Sequence, residues 1–259
     1  MMYNVFRAEF VRSVIDMKRY PFEFLSQFVL IVVVFYGMFL GGSYIDGGHV
    51  SSSRLDTVII DYAMWILILD AVGSMGFQIS NEAKNGTLEQ VFLSPAGPLK
   101  VLLFRSMANT LALVILIGVS MTTIMALTQH FLPFRPTEVI PFLIAILTAM
   151  GFGYCISAAA MILKKTSSLF NLIQFLFLFV LAAPIANMHG LWKYLIVLIP
   201  TSPSEVALQS IINPDTVSFS LNDLLLMSVL NLLIWGTGGI LLFRASFRHA
   251  MKIGSLGHY

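Results

Sequence analysis

The sequence predicts an all-α membrane protein with six transmembrane helices, and three observations support this. Of the 259 residues, 58% are hydrophobic and 11% are charged, whereas an ordinary soluble domain is about 25% charged. Six apolar runs approach or exceed the ~20 residues that a helix needs to cross a bilayer. These runs lack the strict alternation of barrel strands. They cover residues 24–44, 58–79, 101–127, 139–163, 169–186 and 221–243.

Residues 1–22 precede the first run and carry apolar and charged side chains at helical spacing. Phe6 and Phe10 fall on one broad face, and Arg12 falls on another. This pattern predicts an amphipathic helix at the membrane interface. A solvated amphipathic helix packed on protein is the alternative. Pro21 then separates it from a six-span domain over residues 23–259.

A polar island separates the second run from the third. Thr87, with Gln90 three residues later, has the form of a capping box, in which side chains satisfy the free amide groups of a new helix. Glu89 lies in the first turn, where the helix dipole favours a carboxylate. Pro95 ends the segment. The pattern predicts a short helix over about 82–95 that lies crosswise between two spans. An ordinary loop with a chance helix is the alternative.

The distribution of positive charge predicts the orientation. Twelve of the 15 Lys and Arg residues fall on one side of the six runs, and only Arg54, Arg135 and Lys193 fall on the other. Because loops rich in Lys and Arg stay in the cytoplasm, both termini and the polar island are expected there. The formal charge of +2 therefore reflects membrane topology, and nothing in it indicates nucleic-acid binding.

Residues 187–220, between the fifth and sixth runs, are too apolar for a free external loop. Residues 191–199 are too short to span a bilayer, Pro200 interrupts them, and residues 202–212 offer a second short helix. Apolar segments there must be covered by lipid or protein. The pattern predicts a re-entrant helical hairpin in the outer leaflet, with an external cap helix as the alternative.

Two carboxylates lie inside the second run. Asp70 is near its middle, and Ser74 and Gln78 follow at i+4 and i+8 to form one polar stripe. Ionisable groups in membranes usually face a protein interior or an aqueous path. The stripe therefore predicts either part of a translocation pathway or a polar contact that holds the bundle together. Asp61 is half a turn out of phase, which argues against a site shared with Asp70 and against proton coupling.

The sequence contains no nucleotide-binding loop of the form G-x-x-x-x-G-K-[ST] and no metal-ligand cluster. The chain is therefore not expected to be an enzyme or to bind a cofactor itself, and any ATP would be bound by another chain. The five histidines lie outside the apolar runs. They are expected to be interfacial or solvated.

These features together resemble the permease subunit of ABC-2 type transporters. In that family an amphipathic helix precedes six spans, a coupling helix follows the second span, and a re-entrant pair lies between spans five and six. The outer element lacks the family's Asn before the proline, adds Pro203 and ends with Gln209. The coupling pattern is matched by Glu82, Gly86, Thr87, Leu88, Glu89, Gln90, Ser94 and Pro95, and the outer element by Pro200, Thr201, Ser202 and Glu205.

The resemblance implies two permease subunits, identical or homologous, above two separate ATPase subunits that bind ATP and Mg. The coupling helix would sit in the ATPase as a lever, and the outer element would form an external gate. The location implied is a cell membrane, the inner membrane of a bacterium.

Permeases of this kind export drugs, peptides, lipids or lipid-linked polysaccharides. With 3 Trp and 8 Tyr available to stack on sugars, a hydrophobic or amphipathic substrate is favoured over a polysaccharide. A secondary transporter would need inverted repeats and coupling-ion groups near the midplane, and the sequence shows no such repeat. A membrane scaffold or sensor with no transport path is the other alternative.

Overall fold

The computed structural model describes residues 2–45, 52–71, 73–74, 97–131, 135–163, 167–181, 195–214, 217 and 219–253. Within these ranges the regular secondary structure is entirely helical, which confirms the all-α prediction. The α-helices are α1 (Met2–Arg19), α2 (Pro21–Ile45), α3 (Ser52–Ala71), α4 (Pro98–Thr128), α5 (Val139–Leu163), α6 (Ser167–Leu181), α7 (Ser202–Ile212) and α8 (Leu221–Ile253).

Four of the described helices are long and apolar enough to cross a membrane, which indicates a membrane protein. The other two predicted runs also coincide with helices, α3 and α6. The described part of α6 has only 15 residues, and α3 carries several charged residues along its 20. Six spans therefore stay a prediction. The four qualifying stretches are Pro21–Leu40, Leu99–Thr128, Pro136–Leu163 and Leu221–Lys252.

Local capping sets where α4 and α5 begin. Gly97 has a φ of 78°, which suits glycine, and Pro98 occupies the first turn of α4. Before α5, the Arg135 N–H donates to Glu138 Oε1 at 3.1 Å, and the Glu138 N–H donates back to the Arg135 carbonyl at 2.9 Å. This reciprocal pair starts the short 3₁₀ turn that leads into α5.

α5 and α8 pack with their backbones in direct contact. A Cβ added at Gly151 would lie 2.7 Å from the Gly236 nitrogen, and one added at Gly239 would collide with the Gly151 carbonyl oxygen. Glycine is therefore required on both helices at the crossing. Beside it, the Phe152 ring meets the Trp235 ring edge-on at 5.2 Å.

A second core joins α2, α3 and α4. The Tyr62 hydroxyl donates to the Ile31 carbonyl at 2.7 Å, and its ring meets the fully buried Phe35 edge-on. α3 also contacts α6, on the side away from this core. There Trp65 Nε1 donates to the Gln174 carbonyl at 3.0 Å. α3 thus lies between several helices, which determines where its three carboxylates, Asp56, Asp61 and Asp70, point.

α1 is attached to α4 by an ion pair and an aromatic contact. Arg105 Nε donates to Glu9 Oε2 at 3.0 Å, and the Phe6 ring meets the Phe104 ring edge-on at 5.9 Å. Ile15, in contrast, is exposed. One face of α1 therefore packs on protein and another presents apolar side chains outward, as an interfacial helix requires.

Candidate functional site

The predicted stripe on α3 lies against a cavity between α1, α2, α3 and α4. Asp70 and Ser74 both line this space of about 320 Å³. Glu23 and Gln27 of α2 and Asn109 of α4 supply further polar groups. Thr110 Oγ1 donates to Asp70 Oδ2 at 3.3 Å, so Asp70 also joins α3 to α4. The third member of the stripe, Gln78, lies outside the described residues.

The charge around this cavity, called here the α2–α4 cavity, is negative. Its lining includes the carboxyls of Glu23 and Asp70, and no Lys or Arg is among the described residues that line it. Tyr20 and Phe24 add aromatic surface, while Leu113 and Leu116 add aliphatic surface. A space of this composition suits a cationic or hydrogen-bond-donating group attached to an apolar body.

The predicted outer element is α7 and the residues before it. Pro200, Thr201, Ser202 and Glu205 lie together at its N-terminal end, and all four are buried. α7 packs on α8, α5 and α3. This burial fits a helix covered by protein better than one exposed to water.

Thr201 begins α7 in a strained backbone conformation. Its φ is 66°, in the left-handed region that β-branched residues rarely adopt. Asn231 of α8 holds it there, because the Asn231 Oδ1 accepts the Thr201 N–H at 3.2 Å. Asn231 Nδ2 also donates to the carbonyls of Val197, at 2.6 Å, and Ile199, at 2.9 Å. One fully buried amide therefore fixes the turn that leads into α7.

Asp61 of α3 faces the same end of α7. Gln209 Nε2 donates to Asp61 Oδ1 at 2.6 Å, and Glu205, one turn earlier, is in hydrogen-bonding contact with the Asp61 carboxyl. Glu205 is only 2% exposed. Burial first, and then the charge of Asp61, raise the pKa of Glu205 well above its usual range. Two acids that are far apart in the sequence therefore form one buried pair.

The N-terminal end of α7 opposes this effect without cancelling it. A helix N-terminus favours a nearby carboxylate by about 0.3–1 kcal/mol when exposed and up to ~2 kcal/mol when partly buried. Burying a second, uncompensated carboxylate against Asp61 costs several kcal/mol. Because this cost exceeds the stabilisation by the helix dipole, the protonated form of Glu205 is favoured at this position.

A second set of contacts holds the C-terminal end of α7. His130 Nε2 lies 2.5 Å from Asp56 Oδ1, and Asn213 Nδ2 donates to Asp56 Oδ2 at 3.4 Å. Arg135 Nη1 donates to the Ile211 carbonyl at 2.5 Å. His130, expected to be interfacial or solvated, is therefore bonded to a carboxylate of α3. α7 is held at both of its ends by polar contacts.

Several buried polar atoms at the start of α7 have no hydrogen-bond partner among the described residues. They are Thr201 Oγ1, Ser202 Oγ, Ser204 Oγ and Glu205 Oε2. Buried hydroxyls are normally satisfied, often by ordered water.

Sequence reasoning did not find the partners of α7. It placed Glu205 in the outer element but gave Asp61 no partner, and it did not single out Asn231. A signal for Asn231 was available, since an amide in the sixth apolar run needs a protein partner. The predicted ATPase-coupling residues over 82–95 lie outside the described residues.

No protein-family model matches the chain, and no curated protein is significantly similar to it. The likeness to ABC-2 permeases therefore rests on the residues of the two sequence patterns.

Proposed function

We propose that this chain is the transmembrane permease subunit of an ATP-driven exporter. Its substrate is a hydrophobic or amphipathic molecule, such as a drug, a peptide or a lipid, taken from the cytoplasm or the inner leaflet. The observation that carries the proposal is the coupling pattern from Glu82 to Pro95, on the side of the bilayer where Lys and Arg concentrate. A separate ATPase subunit supplies the energy, and both termini face the cytoplasm.

Three features of the described structure support the proposal. An amphipathic helix, α1, is joined to α4 by the Glu9–Arg105 ion pair. A short buried helix, α7, lies between α6 and α8 in the chain and begins at the predicted gate residues. The α2–α4 cavity offers a polar, acidic space among helices that are otherwise apolar. Export of a lipid-linked polysaccharide and a scaffold or sensor role are the competing proposals.

Replacing Glu89 with alanine is expected to uncouple export from ATP hydrolysis. The change removes a carboxylate from the first turn of the proposed coupling helix, where it suits the helix dipole. Gly86→Pro, which stiffens the turn before that helix, should act the same way. The measurement is ATPase activity and export by the permease–ATPase complex in proteoliposomes.

Asn85→Ala is the matched control, because Asn85 lies in the same segment at a position that the coupling pattern leaves open. Its activity should stay at the wild-type level. Wild-type coupling in both Glu89→Ala and Gly86→Pro would contradict the proposal.

Replacing Asp70 with asparagine is expected to change substrate preference with little loss of folded protein. A carboxylate within about 4 Å of a bound cation contributes on the order of 4 kcal/mol at an effective dielectric constant of 20. We therefore expect stimulation of the ATPase by tetraphenylphosphonium to weaken at least about tenfold, which is ~1.4 kcal/mol. Stimulation by tetraphenylborate, a similar anion, should not weaken.

Asp223→Asn serves as the control, since Asp223 is an exposed carboxylate in the first turn of α8. It should leave both responses unchanged. If Asp70→Asn instead lowers folded yield and thermal stability while transport per folded complex is unchanged, Asp70 holds the bundle together through Thr110 and does not line a path.

A further inference from the structure

The contact between Asp61 and Glu205 requires a proton. Both side chains are carboxyls, so neither can donate a hydrogen bond to the other unless one of them is protonated. Gln209 Nε2 already donates to Asp61 Oδ1 at 2.6 Å, which marks Asp61 as the acceptor. Glu205 Oε2 is buried and accepts no hydrogen bond from any described residue. These contacts assign the proton to Glu205.

Among the side chains that the structure describes, the other charged groups near α7 have partners elsewhere or are exposed. On α3, Asp56 is paired with His130 from the end of α4. Before α5, Arg135 bonds to the Ile211 carbonyl and to the Glu138 turn. α5 contains no Asp, Glu, His, Lys or Arg, and the first twenty residues of α8 contain only Asp223, which is exposed. No cation in the described surroundings is bonded to the pair.

A metal ion is a poorer occupant than a proton. Among the described residues, no three His, Cys, Asp or Glu side chains are grouped to hold one. The start of α7 also points the positive end of its dipole toward this site, which disfavours a cation of higher charge.

We propose that Asp61 and Glu205 bind one proton between them, and that this proton latches α7 to α3. When the Glu205 carboxyl releases it to water, the hydrogen bond breaks and two carboxylates face each other in a buried site. Their repulsion, together with the cost of leaving both charges dehydrated, separates the first turn of α7 from α3. The latch lies at the residues proposed as the external gate, but it does not depend on export or on an ATPase.

The latch is closed when the pair is protonated, and this fixes the direction in which opening depends on pH. The latch is closed at low pH and opens as the pH rises through the value at which the pair loses its proton. Burial, and then the charge of Asp61, raise the pKa of Glu205, so the latch stays closed to a higher pH than an exposed glutamate would allow.

Opening can be measured with a cysteine placed at Ser204 in a Cys155→Ala background. Ser204 is fully buried beside Glu205, and its hydroxyl has no partner to lose among the described residues. The full chain, purified in detergent, is labelled with a maleimide over a range of pH. Each labelling rate is divided by the labelling rate of Phe131→Cys at the same pH, because position 131 is 72% exposed. This ratio removes the pH dependence of the intrinsic reactivity of a thiol. We expect the ratio to rise about tenfold per pH unit below the titration point.

Two variants separate the latch from a general loosening of the protein. Glu205→Gln can still donate to Asp61 but cannot ionise, so its ratio should stay low at every pH. Glu138→Gln removes a different carboxylate near α7 and retains an amide oxygen that can accept the Arg135 N–H. It should keep the wild-type profile. A flat profile in the wild type, or a rising one in Glu205→Gln, would overturn the proposal.

An infrared measurement on the chain without added cysteines provides an independent test. The difference spectrum between the wild type and Glu205→Gln should show a protonated-carboxyl band at neutral pH that disappears as the pH rises. Asp61→Asn should abolish this pH-dependent opening while leaving a folded protein, since its amide oxygen still accepts from Gln209. Absence of the band from the difference spectrum would mean that no proton is held at Glu205, which refutes the latch.

Discussion

Gly239→Ala is expected to destabilise the protein strongly, because the added methyl group would collide with the Gly151 carbonyl oxygen. Overpacking in a core commonly costs about 1–3 kcal/mol when side chains can shift. Here the obstacle is backbone of α5, which cannot rotate away, so we expect the upper end of that range or more. The measurement is folded yield and apparent Tm in detergent.

Gly238 provides a matched control one residue away on the same helix. A Cβ at Gly238 meets nothing within 4 Å, so Gly238→Ala should be neutral, or stabilising by up to about 1 kcal/mol through lower backbone entropy. Gly151→Ala should resemble Gly239→Ala, since its Cβ would lie 2.7 Å from the Gly236 nitrogen. Equal stability of Gly238→Ala and Gly239→Ala would contradict the close helix crossing.

The positions of most helices could be predicted from local signals. α5 covers residues 139–163 and α7 covers residues 202–212, which are the bounds that the apolar runs and proline positions predict. Runs of apolar residues and breaks at proline are properties of adjacent residues, so they can be recognised in the sequence alone. The Gly151–Gly239 contact could not, because it depends on how two separate helices cross.

Asp61 and Asp70 of α3 show the limit of such reasoning. Helical phase indicated that Asp61 and Asp70 lie on opposite sides of one helix, and in the structure Asp61 contacts α7 while Asp70 contacts α4. Helical phase does not determine which neighbouring helix packs against each side of α3. From the sequence alone, proton coupling is disfavoured because Asp70, the other carboxylate of the second apolar run, lies out of phase with Asp61. Glu205, which is 144 positions later in the chain, became a partner only through tertiary packing.

The same limit applies to the position of α7 relative to the bilayer. The sequence predicts a short helix within an apolar external segment, and it allows this helix to be either part of a re-entrant hairpin or an external cap. The structure adds that Ser202, Ser204, Glu205 and Gln209 are all buried. Burying so many polar groups is unfavourable unless hydrogen bonds compensate, and for α7 Asp61 of α3 accepts from Gln209 while Asn231 of α8 accepts from the Thr201 N–H. The stability of α7 therefore depends on contacts that no local pattern encodes.

Asn231→Ala is expected to have the largest effect of any single change around α7. Asn231 is fully buried and makes three hydrogen bonds, to the Val197 and Ile199 carbonyls and to the Thr201 N–H. Truncation leaves three backbone groups without this partner, and each buried unsatisfied group costs about 1–3 kcal/mol. A loss of at least ~3 kcal/mol is therefore expected, along with release of Thr201 from its left-handed conformation.

Hydrogen exchange distinguishes this local role from general destabilisation. In Asn231→Ala, amides of residues 199–205 should exchange much faster than those of α5, whereas Gly239→Ala should weaken protection in α5 and α8 first. Asn222→Ala is the control, because Asn222 is exposed in the first turn of α8 and should change neither stability nor exchange. If Asn231→Ala is as stable as Asn222→Ala and protects residues 199–205 equally well, the amide does not hold α7. The latch between Asp61 and Glu205 would then have to fix the start of that helix alone.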